Sequence, residues 1–389
     1  MGYDQTMMRI RYPQRPLLPS RATRLMTLLA CGVCLLLLAL PASADNREAR
    51  EDWLDIVRQT PYWASQGVAA NLATVRRWVL LGDSFCSEPQ RHLLFDHRGQ
   101  FLTYINNGDN SEATVERLNE TRQQLVANDR VSDWSPARDS RRGYPFALAC
   151  NQPFADMGKA IARMTSTEAD YGVWGTWDGI SVGSEESPAS LVALFRAVYE
   201  HRRDQGRFSF PASVMPTFMG KTIIESGGQK DALSRQAARG IMQLRPNVLD
   251  DCEIPEAFRL HRIAQVDCAL RLVEQNHRNL EEPFMAVFSD LPEDKREQLY
   301  ADLLTQAYQI GVGRVTQLLQ DEELGKAARY FAEQAGRFSA QDIQVGMIYH
   351  NMGRRDLGLR TLYYVTDARI AQGALCGSPA MTDDPWCDE

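Results

Sequence analysis

Ile224-Glu225-Ser226-Gly227-Gly228-Gln229-Lys230-Asp231-Ala232-Leu233-Ser234 closes an apolar run that begins at Val214. Met215, Phe218, Met219, Thr222 and Ile223 fall in that run at mostly helical spacing. The spacing predicts a largely buried helix, stopped by the glycine pair. Glu225 then occupies the last turn. A carboxylate is awkward there, because the helix dipole is negative at that end and burial penalises the ionised form. Both effects favour the protonated carboxyl, which a general acid working near neutral pH requires. The same spacing also suits an ordinary glutamate near a helix end, solvated or paired with an arginine.

Downstream come Ala232-x-Ser234 and Ala238-x-Gly240-x-Met242-Gln243-Leu244-x-Pro246. With Glu225-Ser226, this pattern resembles the signature of soluble lytic transglycosylases, whose catalytic domain has a goose-type lysozyme-like fold. It extends over 22 residues. Ala237 departs from it, since the family usually has glycine there. Alanine does not take positive φ cheaply; a helical position would remove the difficulty. Ala307-Tyr308-Gln309-Ile310-Gly311-Val312-Gly313-Arg314-Val315 begins 64 residues after Gln243. It resembles the family's Ala-Tyr-Asn-x-Gly-x-Gly-x-Val, with Gln309 in place of Asn. Arg360-Thr361-Leu362-Tyr363-Tyr364-Val365 matches the family's Glu-Thr-Arg-x-Tyr-Val at Thr361, Tyr364 and Val365. The resemblance covers residues 210–372.

The resemblance implies a peptidoglycan lytic transglycosylase acting on glycan strands, without metal or cofactor. Glu225 is its expected catalytic residue, with Ser226 orienting the carboxyl and Tyr364 hydrogen-bonding near it. Met242, Gln243, Tyr308 and Gln309 are expected to line the sugar-binding cleft. Most glycosidases need two carboxyls, whereas this signature supplies one. A lytic transglycosylase manages with one because the substrate's own C6 hydroxyl is the nucleophile. Two other functions fit the same residues. A hydrolytic muramidase would need a second carboxylate, with Asp231, Asp250 and Asp251 nearest in sequence. A non-catalytic wall-binding or secretion-assembly protein would need none.

The 389 residues carry a net charge of −7 and suffice for one large domain or two. Residues 1–44 read as a signal peptide: five arginines, the apolar run Leu25 to Leu40, and Pro41-Ala42-Ser43-Ala44 as a cleavage site. An uncleaved anchor is the alternative, although the run is short for a membrane span. Leu28-Leu29-Ala30-Cys31 also resembles a lipobox, with little apolar sequence before the cysteine. Removing the leader leaves the chain near −11, which disfavours nucleic-acid binding. Export to the periplasm or cell envelope follows.

Six cysteines remain, an even number that in an exported chain suggests disulfides. Proximity favours Cys86–Cys150, Cys252–Cys268 and Cys376–Cys387, the last stapling the tail back on itself. No cysteine or histidine spacing matches a zinc site. Leu81-Gly82-Asp83-Ser84 resembles the nucleophile block of GDSL-type esterases, but no Asp-x-x-His follows to supply base and orienter.

The expected fold is mainly α. A lysozyme-like helical domain at 207–375 is preceded by a smaller mixed α/β region at 45–206 and followed by a tail at 376–389. In the N-terminal region, periodicity predicts helices at 47–59, 111–128, 153–164 and 187–203, and a hairpin through Leu93-Leu94-Phe95 and Phe101 to Ile105. Trp78 to Leu81 is a short apolar run. Tyr171 to Gly183, rich in Gly and Trp, reads as an irregular linker or platform. No family resemblance attaches to this region, which is a candidate surface for an envelope protein partner. Further helices are expected at 252–276, 292–311, 321–334 and 340–350.

Overall fold

The computed structural model describes residues 61–81, 91–95, 101–106, 108–128, 146–149, 156–234 and 236–387. The leader, the 47–59 helix, Ser84, Cys86 and Cys150 lie outside them. The described chain is mainly helical. It runs α1 (Val68–Leu81), β1 (Arg91–Phe95), β2 (Phe101–Asn106), α2 (Ser111–Ala127), β3 (Phe146–Ala149), α3 (Met157–Thr165), β4 (Gly175–Trp177), β5 (Ile180–Val182) and α4 (Leu191–Asp204). Then come α5 (Met215–Ser226), α6 (Pro246–Asp251), α7 (Arg262–Phe288), α8 (Glu293–Ile310), α9 (Val312–Gln320), α10 (Lys326–Glu333), α11 (Ala340–Tyr349) and α12 (Leu359–Cys376).

The expected hairpin is β1–β2, antiparallel from Arg91 opposite Asn106 to Leu94 opposite Thr103. Strand β3 joins the other edge of β1, giving the order β2-β1-β3. Two local readings are corrected. Trp78 to Leu81 is the last turn of α1 rather than a separate run. Tyr171 to Gly183 is not irregular: β4 and β5 pair through a two-residue turn, Asp178 and Gly179, both at positive φ (44° and 81°). Asp-Gly is the sequence signal for that turn. Helix α7 also starts later and ends later than its spacing suggests, because Cys252 ends α6 and Pro283 is accommodated inside α7.

The expected boundary at residue 206 is corrected as well. A single hydrophobic cluster takes in Leu72 of α1, Phe195 and Val198 of α4, Phe218 of α5, Leu270 of α7, Leu304 of α8 and Tyr363 of α12. An amphipathic helix buries its apolar stripe against whatever faces it, and α1 and α4 face the C-terminal helices. Buried charge crosses the same line. Arg76 on α1 makes two hydrogen bonds to Asp367 on α12, at 2.6 and 2.5 Å. Arg202 on α4 makes two to Asp267 on α7, at 2.7 and 2.8 Å. Glu274 of α7 accepts from the Ser209 and Phe210 amides, fixing the chain as it leaves α4. The tail joins in too: Trp386 packs edge-on to Tyr199, and Asp384 accepts from Arg196 at 2.6 Å.

Two disulfides are present, Cys252–Cys268 and Cys376–Cys387, in the expected pairing. They fit an oxidising, exported environment. Among the described residues, no helix is long and apolar enough to cross a membrane.

The segment before α1 docks through a buried histidine. His350 contacts the Ser65 hydroxyl at 3.0 Å and the Tyr62 ring edge-on at 4.6 Å between centroids. Burial pushes its pKa down to about 3. The imidazole therefore stays neutral when folded, while the unfolded chain takes up a proton below about pH 6.5. The contribution is fully present above about pH 6.5 and is lost as the pH falls toward 3. Thermal melts should show wild type losing more stability than His350→Gln between pH 7 and pH 4; parallel losses would contradict this.

Candidate active site

The distance on which the site depends is set by α5 and α12. At Gly220 their backbones meet: a Cβ there would lie 2.0 Å from the Ala368 carbonyl oxygen and 2.7 Å from the Gln372 amide nitrogen. Glycine costs a helix interior about 1 kcal/mol relative to alanine, and here it permits the approach. The result is a hydrogen bond from the Tyr364 hydroxyl to Glu225 Oε1 at 2.7 Å. Tyr363, its neighbour in sequence, is core, with the Arg76 guanidinium 4.7 Å above its ring.

Helix α5 stops where the glycine pair predicts. Gly227 and Gly228 take φ of 61° and 72°, and the Gly227 amide donates to the Ile223 carbonyl. Within α5 only Ile224 and Glu225 escape full burial. The carboxyl thus sits where a helix with an otherwise buried surface opens outward.

The other predicted residues divide. Tyr308 of α8 is brought to the site: its hydroxyl donates to the Met242 carbonyl at 2.9 Å. Burial, then the charge of Glu225, pushes the pKa values of Tyr308 and Tyr364 well up, so both hydroxyls remain donors. Ser226 is corrected. Its hydroxyl contacts the Ile241 carbonyl at 2.7 Å and accepts from the Gly228 amide at 3.1 Å. It ties the helix end to the next loop rather than orienting the carboxyl. Met242 is corrected too. Its side chain is fully buried, with the Thr222 hydroxyl 3.7 Å from its sulfur, so its carbonyl is its contribution.

Gln243 stands at φ 50°, a strained conformation for a residue with a side chain. Its amide nitrogen donates to the Ala232 and Gly240 carbonyls, at 3.2 and 3.0 Å. Its donors are thereby engaged and its carbonyl oxygen is what it offers a ligand. Gln309 lies at the end of an amide chain. Gln344 donates to Gln306 at 3.0 Å, Gln306 to Gln309 at 2.8 Å, and Gln309 to the Arg360 carbonyl at 3.4 Å. The extra methylene relative to Asn is absorbed by spanning from α8 to the start of α12.

Sequence reading missed two buried residues that organise the site. Gln265 of α7 accepts from the Met242 amide and donates to the Arg239 and Arg259 carbonyls, holding the loop from beneath. Gly240 lets it approach: a Cβ there would be 2.1 Å from the Gln265 amide nitrogen. Lys221, one turn before Glu225, is fully buried and donates to the Met242 carbonyl at 3.3 Å. Its signal in the sequence was a single lysine inside an otherwise apolar run.

Ala237 is not helical. It takes φ 62° in an exposed turn, where Ser234 Oγ accepts from the Gln236 and Ala238 amides. An L-residue pays about 1–2 kcal/mol in that region, and glycine does not. Ala237→Gly should therefore stabilise the protein by about 1 kcal/mol, read from denaturant midpoints; destabilisation would contradict the strain.

No protein-family model, curated protein or solved structure matches the chain.

Away from this site, a groove of about 620 Å³ is lined by Asp178, Arg207, Glu253, Arg271, Glu274 and Arg278 among others, none of them a predicted site residue. Its charges are of mixed sign and largely paired, as in Arg278–Glu274 at 2.7 Å.

Proposed function

We propose that the chain is a peptidoglycan lytic transglycosylase of the periplasm or cell envelope, built on a lysozyme-like helical scaffold. It cuts the β-1,4 bond between N-acetylmuramic acid and N-acetylglucosamine, with Glu225 as single general acid and base. The observation that carries the reading is the Tyr364–Glu225 hydrogen bond, which joins two motifs 139 residues apart at the carboxyl the chemistry needs.

Protonated Glu225 gives its proton to the bridging oxygen as the C1–O bond breaks. The muramic N-acetyl group stabilises the cation developing at C1. Glu225, now a carboxylate, takes the proton of the C6 hydroxyl as O6 bonds to C1. The product is a 1,6-anhydromuramic end, the carboxyl is again protonated, and no water is consumed. Tyr364 holds one carboxyl oxygen, leaving the other for the sugar. Tyr308 and Ser226 fix the Met242–Gln243 loop that forms one wall.

The muramidase alternative finds little support. Asp250 is exposed and paired with Arg259 at 2.5 Å, and Asp231 and Asp251 are exposed. Glu225 is the carboxylate whose charge acts on Lys221, Tyr308 and Tyr364. Mass spectrometry of purified peptidoglycan after digestion separates the readings. Anhydro ends are expected; reducing ends would mean hydrolysis, and intact strands would mean a binding protein.

A further inference from the structure

We propose that Lys221 is a positioning residue of the Glu225 site, a buried cation whose charge sets how readily Glu225 exchanges its proton. This rests on the reading of Glu225 as general acid and base. Lys221 and Glu225 are four residues apart on α5, so they share one helical face. The ammonium is sealed from water at 0% exposure. It lies 3.4 Å from the Tyr308 ring centroid and 5.1 Å from that of Phe218, and its hydrogen bond is to the Met242 carbonyl at 3.3 Å. A lysine has three donors, and ring faces replace only part of the water it has lost.

The surroundings narrow the partners. From its own helix Lys221 faces Glu225. From α8 comes Tyr308, and one step further Tyr364 from α12 reaches Glu225. The loop contributes a carbonyl. Arg163 of α3 meets the helix only at its end, on the Gly227 carbonyl. Both tyrosines are held neutral by burial and by the charge of Glu225. That leaves the Glu225 carboxylate as the charge facing Lys221. Burial pushes Lys221 down to about 7, with Glu225 pulling the other way.

A charged Lys221 makes Glu225 the stronger acid and weaker base; a neutral Lys221 does the reverse. The pH range over which both half-reactions run therefore belongs to the pair. Lys221 itself does not touch the sugar. It also draws the Met242 carbonyl toward α5 alongside Tyr308, so that charge and loop position are linked.

The deciding titrations use the full protein without substrate. The chain has five lysines, at 159, 221, 230, 295 and 326, so labelled lysine gives few signals to assign. In wild type, Lys221 should titrate near neutrality. Glu225→Gln removes the carboxylate and should move that titration down by about one unit or more. Lys221→Met removes the cation at similar length, and the Glu225 carboxyl, followed by carbon NMR, should move up by the same amount, because linkage is reciprocal. The alkaline limb of the rate profile, where Glu225 loses its proton, should rise with it. Should Lys221→Met fail to fold, the lysine signal in wild type and Glu225→Gln still decides. A Lys221 titration that does not move between those two proteins overturns the proposal. Shifts without peptidoglycan cleavage would remove the transglycosylase reading and leave the coupling; cleavage without shifts would do the opposite.

Discussion

Glu225→Gln should keep the fold and lose on the order of 10²–10⁴ in rate, the worth of general acid–base catalysis. The upper end is expected, because the same carboxyl serves both proton transfers. Gln is nearly isosteric, and its carbonyl oxygen still accepts from Tyr364, so the α5–α12 contact should survive. The melting temperature should change little. A variant within about tenfold of wild type would reject Glu225 as the acid, since a factor of ten is only about 1.4 kcal/mol of barrier. A glutamate of purely structural role predicts the reverse: a shifted melting temperature with turnover retained by the folded fraction.

Asp367→Ala should be among the most damaging substitutions outside the site. Asp367 accepts from Arg76, whose side chain is fully buried, and the pair joins α1 to α12. Removing the carboxylate takes a bidentate counter-charge from the buried guanidinium, a change that costs about 3–5 kcal/mol. For a chain of this size the melting temperature should fall by roughly 4–7 °C. Replacing both residues, as Arg76→Met with Asp367→Leu, should recover most of the loss, because a buried ion pair and a packed apolar pair are often near-equivalent. A loss below about 1 kcal/mol for Asp367→Ala would show that α1 is not held to the helical core in this way.

Local pattern and long-range contact were unequally legible. The stop after Ser226 could be read, because glycine at positive φ ends helices for reasons internal to the segment. So could both described disulfides, whose partners are 16 and 11 residues apart. Tyr364 and Glu225 came from motif resemblance, and the fold joins them by a hydrogen bond. Arg76–Asp367 and Arg202–Asp267 left no local trace, since each half looks like a surface charge until its partner is placed. That is why a boundary at 206, drawn where the helical and family-like stretch begins, fails in the packed core. Lys221 was hidden for a related reason: a lone lysine in an apolar run usually extends its charge to water, and here Tyr308 covers it. Ser226 and Met242 show the converse error. Their positions matter, but through a hydroxyl tied to backbone and a carbonyl that gathers Tyr308 and Lys221.

In the proposed reaction the substrate's own C6 hydroxyl, rather than water, attacks C1. Digestion of purified peptidoglycan in water enriched in oxygen-18, followed by mass spectrometry of the new muramic ends, tests it directly. Anhydro ends at the unlabelled mass are expected, formed by wild type and not by Glu225→Gln. Reducing ends carrying one oxygen-18 would contradict this.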